Sequence, residues 1–320
     1  MKVFITRRIP EAGIKMLREK GYDVEVSDFD GVLPREKLLE KVKGVDAILS
    51  LLTDKINSEI FDAAGPQLKI VANYAVGYDN LDIEAAKKRG IMMTNTPEVL
   101  TESVAEHAMA LMFAISRRIV ESDQFMRDGK YIGWAPMLFL GNDLLGKTLG
   151  LVGLGRIGAA VAKRMHDGFE MKIIYTDVKR NEELEKQYHL EYKDLESLLR
   201  ESDFVSVHVP LLPTTKHLIG EQQLKIMKKT AYLINTSRGP VIDESALVKT
   251  LKSGEIKGAA LDVYENEPKM AEGLIELPNT VLTPHAASAT EETRAKMSEL
   301  AAENIIAALE GKTPPSLIKI

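Results

Sequence analysis

Cysteine is absent from all 320 residues, which excludes disulfides, thiolate nucleophiles, zinc knuckles and cysteine-held clusters together. Histidine is scarce. Its six positions, His107, His166, His189, His208, His217 and His285, never fall at the one-, three- or four-residue spacing of a metal motif, so no metal site is expected. No apolar run approaches the roughly 20 residues of a membrane span, and the opening MKVFITRRIPEAG lacks the apolar stretch of a signal peptide. A cytoplasmic protein without a membrane partner is expected. An excess of one charge is missing too: 42 Lys and Arg against 47 Asp and Glu leave a net −5, with both signs dispersed, so no basic face points to nucleic acid. Chemistry is left to carboxylates, Arg, Lys, a single His or a borrowed cofactor.

What is present is a strict alternation of short apolar runs and helix-period segments. Strands are expected at Lys2 to Thr6, from Asp23, at Val45 to Leu52 and from Leu68, with helices over Pro10 to Lys20, Pro34 to Lys43 and Asn57 to Ala64 between them. The pattern restarts at Lys147 and continues through runs beginning at Met171, Asp203, Thr230 and Ile256. Strand and helix in turn imply parallel, doubly wound sheets, and a chain about twice the usual domain length accommodates two of them. The expected fold is α/β: two Rossmann-like or flavodoxin-like doubly wound parallel-sheet domains with a cleft between them. Two helical stretches flank the second sheet, each opened by a capping-box pattern, Ser103-x-x-Glu106 and Ser288-x-x-Glu291. Their apolar stripes, Val104, Ala105, Ala108, Leu111, Met112 and Ile115, then Met297, Leu300, Ala301, Ile305, Ala308 and Leu309, read as core packing. As linkers they place one discontinuous domain at 1–98 and 290–320 and an inserted dinucleotide domain at 99–289.

Gly153-Leu-Gly155-Arg156-Ile157-Gly158 follows one of these apolar strands and opens a helix, the context that gives a G-x-G-x-x-G its meaning. The first glycine permits the tight turn, the second admits a pyrophosphate, and the third lets helix and strand pack closely, with helix-start N–H groups facing the phosphates. Asp177, at the end of the next strand, suits the adenine-ribose hydroxyls and would repel a 2′-phosphate. NADH is therefore expected to be preferred, with NADPH left possible by Lys179 and Arg180 close behind.

A nicotinamide enzyme that reduces a keto acid needs a cation for the carboxylate, an acid for the developing alkoxide, and a group that tunes the acid. Loops after successive strands supply one of each: Arg238 in Asn235-Thr-Ser-Arg-Gly, Glu267 in Asp262-Val-Tyr-Glu-Asn-Glu-Pro, and His285 in Thr283-Pro-His. His107 and His208 read as structural or cofactor-adjacent, since neither shows an acid partner in the sequence.

These residues, with Asn73-Tyr-Ala-Val76-Gly77-Tyr-Asp-Asn80, Thr101-Glu-Ser-Val-Ala-Glu106 and His208-Val209-Pro210-Leu, occur in the order found in the D-isomer-specific 2-hydroxyacid dehydrogenases, which the chain resembles from its first strand to its last helix. The resemblance implies a catalytic Arg238, Glu267 and His285. His285 would exchange a proton with the substrate oxygen, Glu267 would favour the protonated imidazole near neutrality, and Arg238 would bind the carboxylate. It implies substrate contacts at Leu52, at the backbone N–H groups of Val76 and Gly77, and at Arg238 and His285. For the cofactor it implies Thr101, the Gly153 to Gly158 turn with Arg156 and Ile157, and Asp177. Further along it implies Val209, Pro210 and Thr215, then Thr236, Ser237 and Arg238, then Asp262, His285, Ala287 and Ser288.

Within that family, Glu267 argues against a formate dehydrogenase, which pairs its His with Gln, and Val76 stands where phosphite dehydrogenases carry a Lys. Ser50-Leu-Leu-Thr-Asp54-Lys55 lacks the Arg with which phosphoglycerate dehydrogenases hold phosphate. The Leu-Leu-Thr-Asp-Lys-Ile run and Trp134-Ala-Pro are most similar to glyoxylate and hydroxypyruvate reductases, whose pockets often take an aromatic residue from a neighbouring subunit. Trp134 to Leu140 is the candidate here, and a homodimer is expected. Glyoxylate reductases often carry Ser-Arg where this chain has Thr176-Asp177. A D-3-phosphoglycerate or D-lactate dehydrogenase, and an NADH-sensing corepressor, stay open as alternatives.

Overall fold

A computed structural model describes residues 1–319. In chain order the elements are β1 (Lys2–Ile5), α1 (Glu11–Glu19), β2 (Asp23–Val26), α2 (Arg35–Lys41), β3 (Ala47–Leu51), α3 (Ser58–Ala64), β4 (Ile70–Tyr74), α4 (Ile83–Lys88) and β5 (Met92–Thr94). Then follow α5 (Thr101–Ser116), α6 (Ile119–Arg127), β6 (Thr148–Val152), α7 (Arg156–Phe169), β7 (Lys172–Thr176), α8 (Glu182–Tyr188), β8 (Glu191–Tyr192), α9 (Leu195–Glu201) and β9 (Phe204–Val207). The chain closes with α10 (Glu221–Lys225), β10 (Tyr232–Asn235), α11 (Glu244–Ser253), β11 (Gly258–Leu261), β12 (Thr280–Leu282) and α12 (Glu291–Leu309). Two compact units result, Met1–Leu100 with Ala289–Ile320, and Thr101–Ser288.

The first unit holds a five-stranded parallel sheet in the order β2-β1-β3-β4-β5, the flavodoxin-like arrangement. Both faces are covered, which is why its inner strands are nearly continuous apolar runs such as Val3-Phe-Ile and Ala47-Ile-Leu. Phe4, Ile48, Val71 and Met93 pack with Leu38, Ile60, Phe61 and Ala86 of α2, α3 and α4. On α1, Gly13 brings its backbone against α12. A Cβ there would stand 2.1 Å from the Ser298 carbonyl oxygen, and the Ser298 hydroxyl accepts the Gly13 N–H at 3.0 Å and donates to the Pro10 carbonyl at 2.7 Å.

The second unit holds seven parallel strands in the order β12-β11-β10-β9-β6-β7-β8. One face is packed by α5 and α7 through Ala108, Leu111, Met112, Val161 and Met165, the other by α9, α10 and α11 through Leu198, Leu224, Leu247 and Leu251. Because the strands are parallel, the segments after Val152, Thr176, Val207, Asn235, Leu261 and Leu282 all leave the same edge. The winding reverses between β6 and β9, the place where doubly wound sheets bind ligands.

Neither capping box holds. The helix α5 begins at Thr101, so Ser103 already has two helical residues before it and is buried in the first turn. At the other end Thr290, with extended backbone, precedes α12, and its hydroxyl accepts the Thr293 N–H at 3.1 Å; Ser288 lies two residues too early. A cap must be the extended residue next to the first helical one, and a four-residue sequence pattern does not fix that position.

Candidate active site

The three glycines of the turn after β6 meet three different demands. Gly153 has φ +100, and a Cβ on it would stand 2.9 Å from Val209 Cγ1 and 3.0 Å from the His208 carbonyl. A Cβ on Gly158 would stand 2.3 Å from the Gly153 carbonyl oxygen. Gly155 has an ordinary φ of −70, and a Cβ on it would meet nothing within 4 Å. Neither backbone nor packing asks for glycine at 155, so the open space beside it, at the start of the 14-residue α7, fits a pyrophosphate. Gly155→Ala is therefore expected to leave the melting temperature within about 2 °C while weakening NADH binding about tenfold or more. Thermal melts and nicotinamide fluorescence titration check this, and unchanged affinity would refute it.

The acid expected for the ribose is tied to the same turn. Asp177 Oδ2 accepts the Leu154 N–H and Oδ1 accepts the Val178 N–H, each at 2.7 Å. Arg180 is drawn aside: its Nη2 lies 2.6 Å from Glu185 Oε2, and its guanidinium stacks 5.6 Å from the Tyr192 ring centre. Tyr175 adds a hydrogen bond to Glu185 Oε1 at 2.5 Å. Those two contacts, led by Arg180, hold the Glu185 carboxyl below the usual carboxylate range. His208, just after β9, is pushed down to about 4 by burial, so its 2.9 Å contact with Ser206 Oγ is made by a neutral ring. Val209 and Pro210 follow it, and the Thr215 hydroxyl closes their loop by donating to the Pro210 carbonyl at 2.6 Å. The Thr236 hydroxyl, at the end of β10, is buried and has no partner among the described residues. An orphaned hydroxyl of this kind, in a segment that leaves the carboxyl edge of the sheet, suits a group that a ligand completes.

Asn235 shapes the next loop. Its Oδ1 accepts the Ser237 N–H at 3.0 Å and the Ser237 hydroxyl at 2.8 Å, while its Nδ2 donates to the Arg238 carbonyl at 3.0 Å. Arg238 Nη1 donates to the Ser237 carbonyl at 2.8 Å. Gly239 then passes so close to the next loop that a Cβ would stand 1.9 Å from the Tyr264 carbonyl carbon and oxygen. Beyond Tyr264, Glu267 Oε1 accepts the Tyr264 N–H at 3.1 Å and Oε2 meets His285 Nδ1 at 2.9 Å. Burial raises the Glu267 carboxyl, but the His285 hydrogen bond and charge, the Tyr264 N–H and the Arg238 charge outweigh it, so the group is held below its ordinary value and ionised at neutral pH.

His285 sits at φ +53, a left-handed conformation that a bulky side chain rarely adopts. Its N–H donates to the Asp262 carbonyl at 2.8 Å. The fully buried Asp262 carboxylate accepts the Ala286 and Ala287 N–H groups, each at 2.8 Å, and the Thr283 hydroxyl at 2.6 Å. Burial raises Asp262, yet hydrogen bonds from His107, Thr283 and these two amides bring it below the usual range. The reading of His107 as lacking an acid partner is corrected here: its Nε2 lies 3.4 Å from Asp262 Oδ1 and 3.1 Å from Thr283 Oγ1. The partner is far along the chain, just after β11, and no local spacing reveals it. Tyr264 binds the two loops together, donating to the Thr283 carbonyl at 2.9 Å. Thr101 opens α5, and Ser288 ends the unit.

In the first unit, the loops after β3 and β4 carry Leu52 and Val76-Gly77. The buried Asp54 carboxylate accepts the Leu51 N–H at 2.8 Å and the Thr6 hydroxyl at 2.5 Å; burial raises its pKa. Asn80 Nδ2 donates to the Leu51 and Asp54 carbonyls at 3.1 and 3.0 Å. Asn95 takes the Val76 carbonyl at 2.8 Å and Asn73 the Gly77 carbonyl at 3.1 Å. The N–H groups of Val76 and Gly77 have no acceptor among the described residues. With the carbonyls drawn away, two donors are left for an anion. Asn95 was not named from sequence, and Asn73, Asn80, Asp54 and Asn235 stood in quoted motifs with no role of their own. Asn235 could have been found as an Asx turn, from Asn-x-Ser directly after a strand.

Residues 109–287 match the family model described as D-isomer specific 2-hydroxyacid dehydrogenase, NAD binding domain. The chain is 56% identical to a glyoxylate reductase of Thermococcus litoralis, over 99% of this chain and 96% of that protein. It is 53% identical to a glyoxylate reductase of Korarchaeum cryptofilum, over 99% and 95%. Among solved structures, a protein of Thermus thermophilus matches with TM-score 0.93 at 43% identity over 100% of both chains. An NADPH-dependent glyoxylate/hydroxypyruvate reductase of Sinorhizobium meliloti, in complex with NADP and malonate, matches with TM-score 0.87 at 32% identity over 99% and 96%. Near-complete coverage at such identity, on two parallel-sheet units with a dinucleotide turn and a Glu–His pair, assigns the chain to the D-isomer-specific 2-hydroxyacid dehydrogenase family.

Proposed function

We propose that the protein reduces glyoxylate, and with it hydroxypyruvate, to the 2-hydroxy acid. The observation that carries this reading is the 2.9 Å contact between His285 Nδ1 and an ionised Glu267. A nicotinamide dinucleotide, held by the Gly153 to Gly158 turn, Asp177 and the loop at Thr236 to Arg238, supplies the hydride when bound. The chain does the rest. Arg238 takes the carboxylate of the keto acid and polarises its carbonyl; in the first unit, the Val76 and Gly77 N–H groups are two donors suited to a substrate anion. His285 gives a proton from Nε2 to the keto oxygen, while Glu267 steadies the imidazolium through Nδ1. In the first unit, Leu52 is the further side chain proposed to meet the substrate.

NADH is the preferred donor in this reading. Asp177 repels a 2′-phosphate, and Arg180 would have to leave Glu185 to neutralise one. A panel of glyoxylate, hydroxypyruvate, pyruvate and phosphohydroxypyruvate with NADH and NADPH tests both points by nicotinamide absorbance. Glyoxylate and NADH should give the highest kcat/KM. Preference for the phosphorylated acid would point to a phosphoglycerate dehydrogenase, preference for pyruvate to a lactate dehydrogenase, and no turnover to an NADH sensor; NADPH at or above NADH would sink the Asp177 argument.

The face around Trp134 supports a homodimer. Trp134 is 82% exposed, with Ile132, Met137, Leu140 and, from α6, Ile119, Val120 and Met126 also exposed. Large apolar side chains left exposed together in one stretch of chain are normally covered by a partner. Sedimentation should give a dimer, and Trp134→Glu combined with Met137→Glu should give a monomer; a monomeric wild type would refute this.

A further inference from the structure

The segment between Asp262 and Leu274 carries Glu267 yet contains no helix or strand, so its course must be fixed from outside. Glu244, the first residue of α11, is only 4% exposed. It is not needed as a helix cap, because the Asp243 side chain already accepts the Ala246 N–H at 2.9 Å. Its carboxylate instead accepts the Glu265 N–H at 2.7 Å and the Ala271 N–H at 2.8 Å. Its own N–H returns a hydrogen bond to Glu265 Oε2 at 3.3 Å, and Glu265 Oε1 meets His217 Nε2 at 2.6 Å. Glu265 stands two residues before Glu267 and Ala271 four after it. One buried carboxylate thus gathers both feet of the loop that presents Glu267 to His285. Burying a carboxylate is costly, and two charge-assisted hydrogen bonds to backbone N–H groups offset that cost.

We propose that Glu244 is a positioning residue, which keeps Glu267 in hydrogen-bond register with His285 by clasping the loop on either side of it. The proposal rests on the reading of Glu267 and His285 given above. The two acceptor oxygens are what the clasp requires. Glutamine offers one oxygen and, in place of the second, an NH2 group that faces an N–H and cannot accept from it.

The test is a double-mutant cycle on the intact protein with glyoxylate and NADH. E244Q is expected to lower kcat by about 10-fold or more, with the NADH dissociation constant within about twofold of wild type. Its kcat–pH profile should move in the same direction as that of E267Q. The E244Q/E267Q protein should be no slower than E267Q within about threefold, because the clasp acts only through Glu267. Losses that multiply in the double variant, or an E244Q protein with wild-type kcat and pH profile, would overturn the proposal. E267Q with wild-type kcat and profile would instead overturn the underlying reading of the Glu–His pair. If E244Q does not fold, E244D serves as the second variant. It keeps the charge at the start of α11 but withdraws the oxygens, so a smaller kcat loss that vanishes in the E267Q background is expected, and a loss that persists there would overturn the clasp.

Discussion

His285→Ala is expected to lower turnover by about 10²-fold or more while leaving NADH affinity within about twofold. The expectation follows from where the imidazole is held. Its Nδ1 is engaged by Glu267, so Nε2 is the nitrogen left for a substrate oxygen. The backbone accepts a left-handed φ of +53 at this residue, supported by the Asp262 and Thr283 carbonyls, both of which take the His285 N–H. Strain of that kind persists only where surrounding contacts over-determine it. Replacing the ring with a methyl group removes the proton donor and leaves the supporting loop intact. Steady-state kinetics with glyoxylate, read beside a direct NADH titration, separate the two effects. A near-wild-type kcat would take His285 out of the chemistry, and a large loss of NADH affinity would recast it as a cofactor residue.

Gly239→Ala should be the most damaging single-methyl change in the site. The added Cβ would lie 1.9 Å from the Tyr264 carbonyl and 2.5 Å from the Glu265 backbone nitrogen, both of them main chain, which cannot swing aside as a side-chain end can. Arg238 precedes the clash and Glu267 follows it, so relief must displace one of the loops that carry them. A loss of about 2 kcal/mol of stability is expected from overpacking, and a fall in kcat/KM of about 10²-fold or more from misplacing the groups by about 1 Å. Chemical denaturation and kinetics measure the two. Gly155→Ala supplies the contrast within one protein, since its methyl group meets nothing within 4 Å. Equal stability losses in both variants would refute the packing argument.

Much of the fold was legible because parallel strands buried on both faces must be apolar throughout, as Phe4, Ile48, Val71, Val205 and Ile234 are. The edges were not. The strand β8 is two exposed residues, Glu191 and Tyr192, and β5 is three, so neither offers a period to read. Helix α6 buries nothing and carries no stripe aimed at a core. In the site, the glycine turn, Asp177, Arg238, Glu267 and His285 stood out because each is a distinctive residue in the segment that follows a strand. Their supports did not stand out. Glu244, Gly239, Asn73 and His107 act through backbone groups or partners distant in sequence, and a glycine or glutamate in isolation does not announce which main chain it touches.

The contact between Gly239 and Tyr264, the bond from Tyr264 to Thr283 and the hold of Asp262 on Ala286 and Ala287 make the segments bearing Arg238, Glu267 and His285 mechanically one piece. Such a piece resists gradual adjustment, since moving any of the three groups drags the others. Variation among homologues in what they accept should therefore collect outside these three segments, where a side chain can change without disturbing the proton-handling assembly. A library randomised between residues 236 and 239 ought therefore to yield slowed enzymes far more often than new keto-acid preferences.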